Sequence, residues 1–379
     1  MSTATPKASS DVLDFVVHKA NGLKGLVDTG LQSLPRQYIQ PPERRLHASQ
    51  VISQESIPII DVSNWDDPQL VESIFEAASK WGFFQIINHG IPQEILDHLQ
   101  DAAHGFFGLP NEERKKFWKG KSPTDTVFLA TSFSPLKEKV LEWKDYLSFR
   151  YIPGDEKSQA LWPSAKAIES ERNHIEQMHI YKRLNGASFQ GSSAGLYEEG
   201  EMVIKKLLEL LLTKLNVREI DKEKEYALMG SLTNLNYYPH CPNPELVTGV
   251  GCHSDISSIT VLLQDDIGGL YVRGIEEDSW IHIPPVNGAL VINIGDVLQI
   301  MSNDQYKSIE HRVVANGSKN RVSVPIFVNP GPDALIGPLP EVLETGAAPR
   351  YKPILFSDYF SYFFSKGHDG KNSINYAKI

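Results

Sequence analysis

Two histidines and one aspartate have the residue types and the spacing of a metal site. His253 and Asp255 are separated by one residue. On a β-strand, side chains two residues apart point to the same face, so an imidazole and a carboxylate would converge on one point. His311 lies 58 residues downstream and offers a second imidazole if its strand runs beside the first. Two histidines and one carboxylate on one side of a metal ion are typical of non-haem Fe(II) sites, which keep their other coordination positions open.

The spacing of His253 and Asp255 is weak evidence by itself. With 12 histidines and 47 acidic residues in 379, chance gives about 1.5 His-x-acid pairs, and the chain contains two. The second pair, His174 and Glu176, lies in a polar stretch without a strand pattern, and we interpret it as a coincidence. The first pair gains weight from His311 and from the residues that follow it.

Arg321 and Ser323 are two residues apart and share one face of the next predicted strand. A planar guanidinium beside a hydroxyl suits a carboxylate ligand. A guanidinium inside a β core needs an anion, because a buried charge without a partner is costly. The spacing alone does not identify that anion.

The first half of the chain is predicted to form helices around short strands. Residues 57–61 and Phe83–Ile87 are apolar runs bounded by turn signals, which is typical of short strands. Asp67 followed by Pro68 predicts the start of a helix, because aspartate caps the first turn and proline fits the first helical position. Pro92 opens a second amphipathic helix.

Residues 200–216 form another predicted helix, and from about residue 230 the pattern changes to short β-branched segments. Asn287-Gly288 and Asn316-Gly317 lie beside apolar runs, and Asn-Gly in that position is a strong hairpin signal. Helices followed by short strands indicate an α+β protein whose core is a β-sandwich or barrel. This β core must position the predicted metal ligands.

The composition narrows the class of protein. Asp and Glu number 47 against 37 Lys and Arg, which gives a net charge of −10 and does not suit a nucleic-acid backbone. Two cysteines exclude a disulfide framework and a cysteine-rich zinc site. The amino terminus has no signal-peptide core, and no apolar run approaches the ~20 residues of a membrane span. We expect a cytoplasmic monomer without nucleic-acid or membrane partners.

The chain resembles the plant 2-oxoglutarate- and Fe(II)-dependent dioxygenases. The resemblance rests on the metal-site and Arg-x-Ser residues above, on Asn-Tyr-Tyr-Pro at 236–239, and on Trp-Gly-Phe-Phe-Gln-Ile-Ile-Asn-His-Gly at 81–90. It implies a double-stranded β-helix (jelly roll) packed against a helical N-terminal domain. It also implies that Fe(II) is held by His253, Asp255 and His311.

The same resemblance implies the roles of further residues. Arg321 and Ser323 would hold the distal carboxylate of the co-substrate 2-oxoglutarate, and Asn236 and Tyr238 would also contact this molecule. Phe327 would form an aromatic wall for the substrate. O2 would be the second co-substrate, and ascorbate would support turnover.

Four further segments, 14–17, 34–41, 142–147 and 375–379, resemble the feruloyl-CoA ortho-hydroxylases. This closer resemblance implies ortho-hydroxylation of a hydroxycinnamoyl-CoA, feruloyl-CoA or 4-coumaroyl-CoA, on the way to coumarins such as scopoletin and umbelliferone. The phosphates of CoA require cations at the mouth of the site. The sequence offers four candidates and does not select among them: Lys137, Lys139, Lys144 and Arg150.

The resemblance divides the chain into five parts. They are an N-terminal extension (1–56), a helical N-terminal dioxygenase domain (57–165), a surface insertion (166–199), the jelly-roll domain (200–345) and a C-terminal helical tail (346–379). Two alternative functions stay open. One is a dioxygenase of the same family acting on another plant specialised metabolite, such as a flavonoid, alkaloid or indoleamine. The other is a non-catalytic β protein that binds a small molecule.

Overall fold

Two β-sheets form the core of the computed structural model, which describes residues 8–31, 33–53, 55–122, 126–151, 189–217, 230–274, 279–344 and 346–379. The strands are β1 Val51–Ile52, β2 Ile59–Asp61, β3 Phe83–Ile87, β4 Val127–Thr131, β5 Asp145–Tyr151, β6 Gly230–Tyr238, β7 Val250–His253, β8 Ile259–Gln264, β9 Leu270–Arg273, β10 Trp280–Ile283, β11 Leu290–Ile294, β12 His311–Val313, β13 Arg321–Asn329, β14 Leu335–Ile336 and β15 Ile354–Leu355. The α-helices are α1 Ala8–Leu13, α2 Gly22–Val27, α3 Pro68–Glu76, α4 Gln93–Gly108, α5 Asn111–Arg114, α6 Phe189–Lys214, α7 Asp296–Met301, α8 Pro340–Leu343 and α9 Phe356–Phe363.

The larger sheet has the strand order β2-β3-β11-β8-β13-β6-β5-β4, and the smaller sheet has the order β1-β10-β9-β12-β7. Apolar side chains from both sheets pack together between them, among them Tyr238, Val250, Val291 and Val313. The predicted α+β class with a jelly-roll core is therefore confirmed. The core is a sandwich of two sheets, which decides between the two alternatives that the sequence left open.

The hairpins predicted from the two Asn-Gly pairs are wrong. Asn316-Gly317 connects β12 of the smaller sheet to β13 of the larger sheet, and Asn287-Gly288 connects β10 to β11 in the same way. Asn316 Oδ1 accepts hydrogen bonds from the backbone N–H groups of Ser318 and Lys319 at 2.8 and 2.9 Å, which makes a local Asx turn. The turn is real, but it carries the chain from one sheet to the other.

Helices α3 and α4 begin where the sequence predicts, and α6 begins earlier. Asp67 caps α3 by accepting the N–H of Gln69 at 2.9 Å, and α4 begins directly after Pro92. Helix α6 begins at Phe189, so residues 189–199 continue the predicted 200–216 helix. The rest of the predicted insertion, residues 166–188, lies outside the described residues, and so does the His174/Glu176 pair. Within the described ranges, no helix is both long and apolar enough to cross a membrane.

Both ends of the described chain pack against the sandwich. Val16, Leu23 and Tyr38 from the N-terminal segment are buried in one cluster with Trp143 and Cys241. The C-terminal tail passes beside the end of β7, because the N–H of Gly370 donates to the carbonyl of Cys252 at 2.8 Å. This contact brings the tail next to the residues of the predicted metal site. The five-part division of the chain stays a prediction.

Candidate metal and co-substrate site

The three predicted metal ligands lie together at one edge of the smaller sheet. His311 begins β12 and lies directly opposite His253, the last residue of β7, in antiparallel register. Asp255 follows β7 in a loop, so the prediction that both residues of the His-x-Asp pair lie on the strand is wrong. Its Oδ1 is nevertheless 3.4 Å from His253 Nε2 and 3.7 Å from His311 Nε2.

These distances fit a shared metal ion. Two ligand atoms bound about 2.1 Å from one ion at right angles lie roughly 3 Å apart. The three candidate ligand atoms all lie within 4.8 Å of one another. Two imidazoles and a carboxylate on one side are the donor set of a non-haem Fe(II) site, so the residues fit that ion.

Hydrogen bonds from the larger sheet fix the orientation of Asp255. Its Oδ2 accepts from Thr260 Oγ1 at 2.6 Å and from Asn293 Nδ2 at 3.0 Å, which leaves Oδ1 facing the two histidines. Thr260 and Asn293 lie opposite each other on β8 and β11. Burial acts to raise the pKa of Asp255, but the two histidines and the Thr260 hydrogen bond bring the pKa below its ordinary value. The carboxylate is therefore ionised and ready to bind a cation.

Each histidine is held by a backbone carbonyl. His253 Nδ1 lies 2.8 Å from the carbonyl of Gly251, and His311 Nδ1 lies 3.3 Å from that of Ile309. A carbonyl only accepts, so Nδ1 carries the proton and Nε2 keeps its lone pair for a metal ion. Burial, together with the nearby His253, lowers the pKa of His311 to about 4, so this imidazole is neutral near pH 7.

A buried polar network lies behind His253. The ring of His368, from the C-terminal tail, stacks on the ring of His253 with centroids 4.4 Å apart, and His368 Nδ1 lies 2.6 Å from Glu142 Oε1. The same carboxylate oxygen accepts the N–H of Gly251 at 2.7 Å, and Glu142 Oε2 lies 3.2 Å from Lys144 Nζ. Glu142 thus holds Gly251, the residue whose carbonyl orients His253.

Sequence reasoning missed the roles of Glu142 and His368. They are 226 residues apart, and neither has a short-range pattern with the metal ligands. Burial acts to raise the pKa of Glu142, but Lys144 and His368 bring the pKa below its ordinary value. Lys144, which the sequence offered as a phosphate ligand, is therefore committed to this internal ion pair.

Arg321 is buried, and no carboxylate of the described residues lies within ion-pair distance of it. It is 1% exposed, and its guanidinium lies 5.0 Å from the ring centroid of Tyr238. Its Nη1 is 3.2 Å from Ser323 Oγ and its Nη2 is 3.3 Å from Gln264 Oε1. Among the described residues, Arg321 Nε has no hydrogen-bond partner and no carboxylate forms an ion pair with this side chain. A buried guanidinium in this state fits a carboxylate ligand, because a fork of N–H groups remains available to it.

The other predicted co-substrate residues surround Arg321. Tyr238 lies opposite Arg321, and Asn236 opposite Ser323, in the antiparallel register of β6 and β13. All four side chains line one cavity of about 790 Å³ together with the three candidate metal ligands. The structure therefore brings the two predicted groups of residues into one space.

The cavity extends over the inner face of the larger sheet. Its wall includes alternate residues of β13, β6, β5 and β4, as expected for strands with one face turned inward. Phe327, which the resemblance implies as an aromatic wall for the substrate, belongs to this wall. Other aromatic rings add to the wall: Trp118, Phe128, Phe133, Tyr146 and Phe364.

The structure distinguishes among the four basic residues that the sequence offered as phosphate ligands. Lys137, Lys144 and Arg150 line the cavity, and Lys139 does not. Lys119 lines the cavity as well, and sequence reasoning missed it. It lies between Trp118 and a turn, without a pattern that distinguishes it from the other surface lysines.

Comparison with known proteins agrees with this geometry. Residues 229–330 match the model of the 2OG-Fe(II) oxygenase superfamily, and residues 57–165 match that of the non-haem dioxygenase in morphine synthesis N-terminal family. The feruloyl CoA ortho-hydroxylase F6H1-3 of Ipomoea batatas is 54% identical over 375 residues, which are 98% of this chain and 97% of the relative. The bi-functional coumaroyl CoA and feruloyl CoA ortho-hydroxylase Diox4 of Ruta graveolens is 48% identical over 97% of this chain and 95% of its own.

A solved structure shows the same fold. The crystal structure of JOX2 in complex with 2OG, Fe and JA aligns with a TM-score of 0.75 and 32% identity, covering 94% of this chain and 97% of JOX2. Enzymes of the superfamily require Fe(II), 2-oxoglutarate and O2, and the described residues supply a fitting His-Asp-His set. With about half of its residues identical to the named hydroxylases over nearly its whole length, the chain belongs to the 2OG-Fe(II) oxygenase superfamily.

Proposed function

We propose that this protein hydroxylates the aromatic ring of a hydroxycinnamoyl-CoA thioester ortho to its propenoyl arm. The substrates are feruloyl-CoA, 4-coumaroyl-CoA or both. The observation that carries the proposal is the 54% identity, over 98% of the chain, to a feruloyl CoA ortho-hydroxylase. The relative from Ruta graveolens, named for both thioesters, supports either substrate.

The residues of the cavity have distinct roles in this proposal. His253, Asp255 and His311 bind Fe(II), with Thr260 and Asn293 fixing the carboxylate. When bound, the iron couples the decarboxylation of 2-oxoglutarate by O2 to hydroxylation of the substrate, giving succinate, CO2 and the phenol. The protein supplies positions and excludes water.

The co-substrate is held at the Arg321 end of the cavity. Arg321 and Ser323 bind its distal carboxylate, and the hydroxyl of Tyr238 and the amide of Asn236 add hydrogen bonds. The two carboxylate oxygens supply the anionic partner that Arg321 lacks among the described residues. The other carboxylate and the keto oxygen are then directed toward the metal ligands.

The aromatic ring of the substrate packs near Phe327. This residue lies directly opposite Thr260 on β8, whose hydroxyl donates to Asp255. A planar apolar wall beside the metal ligands is the environment that a phenyl ring prefers. After isomerisation of the alkene, the new ring hydroxyl attacks the thioester carbonyl and releases CoA, which gives scopoletin or umbelliferone.

The test is turnover of the purified protein with Fe(II), 2-oxoglutarate and ascorbate, offered feruloyl-CoA, 4-coumaroyl-CoA and free ferulate. We expect one added oxygen in the thioester product and the matching coumarin by mass, with one succinate per product. An Asp255→Ala variant serves as the inactive control. Turnover of neither thioester would defeat the proposal and favour another plant metabolite as substrate. Absence of any iron-dependent succinate would instead favour a non-catalytic binding protein.

The cytoplasmic location and the monomeric state stay predictions. Size-exclusion chromatography with light scattering tests the state of assembly, and imaging of a fluorescent fusion tests the location.

A further inference from the structure

The cavity is basic although the chain is acidic. The chain has 37 Lys and Arg against 47 Asp and Glu. Among the described residues that line the cavity, by contrast, five are Lys or Arg and one, Asp255, is acidic. Since Asp255 belongs to the proposed metal site, the remaining wall carries positive charge only. Such a wall attracts an anionic ligand.

Three of the five cations already have a role. Lys144 is paired with Glu142, Arg321 lies in the proposed co-substrate site, and Lys137 Nζ donates to the carbonyl of Phe364 at 3.1 Å. Lys119 and Arg150 are exposed at the cavity wall. Within the described ranges, no carboxylate forms an ion pair with either of them.

Lys119 and Arg150 both lie beside β4, the outer strand of the larger sheet. The N–H of Arg150 donates to the carbonyl of Thr126 at 2.8 Å. Lys119 Nζ lies 5.1 Å from the ring centroid of Phe128, two residues further along the same edge. The N–H of Lys119 also continues the edge, because it donates to the carbonyl of Leu129 at 2.8 Å.

The register of the sheet gives the distance from these cations to the proposed metal site. Thr260, which holds Asp255, lies opposite Phe327. Phe327 lies opposite Leu232, and Leu232 lies opposite Arg150. Thr260 and Arg150 are therefore three strand spacings apart, which is about 14 Å.

We propose that Lys119 and Arg150 bind the phosphate groups of the CoA part of the substrate. This inference rests on the proposed function, which supplies the thioester. The pantetheine arm between the sulfur and the pyrophosphate has about the backbone length of four extended residues, roughly 14 Å. By the same register Phe327 is two strand spacings, about 10 Å, from Arg150. With the phenyl ring beside Phe327, the arm is therefore long enough to cross the sheet over Leu232 and bring the phosphates to the sheet edge that carries the two cations.

The first test measures binding of CoA itself by calorimetry, without iron or turnover. The proteins are the wild type, Lys119→Gln, Arg150→Gln, the double variant and the control Lys121→Gln, which changes an exposed lysine outside the cavity. We expect each cavity variant to weaken the affinity for CoA about fivefold and the double variant about 25-fold. The control keeps the wild-type affinity. Equal affinity of the wild type and the double variant overturns the proposal.

The second test compares feruloyl-CoA with the feruloyl thioester of pantetheine, which lacks the phosphates. We expect the double variant to raise the KM for feruloyl-CoA with little change in kcat, and to leave the KM for the pantetheine thioester unchanged. An equal rise for both thioesters overturns the proposal, because it indicates a general distortion of the cavity.

The outcomes separate this inference from the proposed function. If CoA binds through both cations but neither thioester is turned over, the proposed function fails and the phosphate site stands. If the thioester is turned over while the double variant binds CoA as the wild type does, the phosphate site fails and the function stands.

Discussion

Replacing Arg321 by methionine tests the interpretation of this side chain as an anion site. In the protein without 2-oxoglutarate, the guanidinium is 1% exposed and its Nε lacks a partner among the described residues. Methionine has a similar length, no charge and no need for hydrogen bonds. We therefore expect opposite effects on two properties. The variant is more stable than the wild type without ligand, and it loses the stabilisation that 2-oxoglutarate gives.

The magnitudes follow from the contacts of Arg321. Replacing buried ionic groups by well-packed apolar side chains is often neutral or stabilises a protein by about 1–4 kcal/mol. Loss of the contacts to Tyr238, Ser323 and Gln264 offsets part of this, so we expect a net gain of about 1 kcal/mol, or about 2 °C in Tm. At 100 times its Kd, 2-oxoglutarate stabilises the wild type by about 2.7 kcal/mol. Removing the buried cation weakens the binding of 2-oxoglutarate by roughly 3 kcal/mol, so its Kd rises about 150-fold.

The assay is thermal unfolding with Mn(II) in place of iron, with and without 2-oxoglutarate. Arg150→Met is a matched control, since it removes an exposed arginine from the same cavity and should change neither Tm nor the shift with 2-oxoglutarate. If Arg321→Met unfolds at a lower temperature than the wild type without ligand, the guanidinium is satisfied within the protein. If the variant keeps the wild-type shift with 2-oxoglutarate, Arg321 does not bind the co-substrate.

Three further predictions concern the groups around the metal site. Asp255→Asn should abolish Mn(II) binding in calorimetry and leave no succinate release, because the amide has no charge for the cation; retained affinity would remove Asp255 from the ligand set. Glu142→Gln should weaken Mn(II) binding about 10- to 100-fold by loosening Gly251, whose carbonyl orients His253, whereas the nearby control Glu138→Gln should bind Mn(II) normally. Glu138 should also make stability depend on pH. Burial and the neighbouring Glu142 raise the pKa of Glu138 from 4.5 to about 7, although the hydrogen bond from Ser132 and the charge of Lys144 act to lower it. The folded state then holds more protons than the unfolded state between these values, so stability falls as pH rises from 4.5 to 7, by at most about 3 kcal/mol. Urea unfolding at pH 5 and pH 8 should show this fall in the free energy of unfolding for the wild type and a smaller fall for Glu138→Gln. An equal fall in both proteins would contradict the prediction.

The sequence predicted the metal site because its ligands combine a short spacing with a strand pairing. His253 and Asp255 are near neighbours along the chain, and the antiparallel pairing of β7 with β12 places His311 directly opposite His253. Arg321 and Ser323 were predicted because alternation along one strand places both on one face.

The parts that were missed depend on contacts between distant segments. Asn316-Gly317 specifies a local turn, but nothing in a turn signal determines which sheet receives the next strand. Glu142 and His368 meet only because the C-terminal tail folds back onto β7, and Lys119 belongs to the cavity only because its segment extends the sheet edge. Short-range patterns carry no information about such contacts.

The tail contact has a consequence for the order in which the centre matures. The ring of His368 covers the ring of His253, and the N–H of Gly370 donates to the carbonyl of Cys252, the residue before His253. The surroundings of the first metal ligand are thus complete only after residue 370 has left the ribosome and docked. Any ferrous ion taken up by a nascent chain would occupy a centre with one side open to water. The environment of His253 is therefore complete only when the segment around His368 and Gly370 has docked against β7.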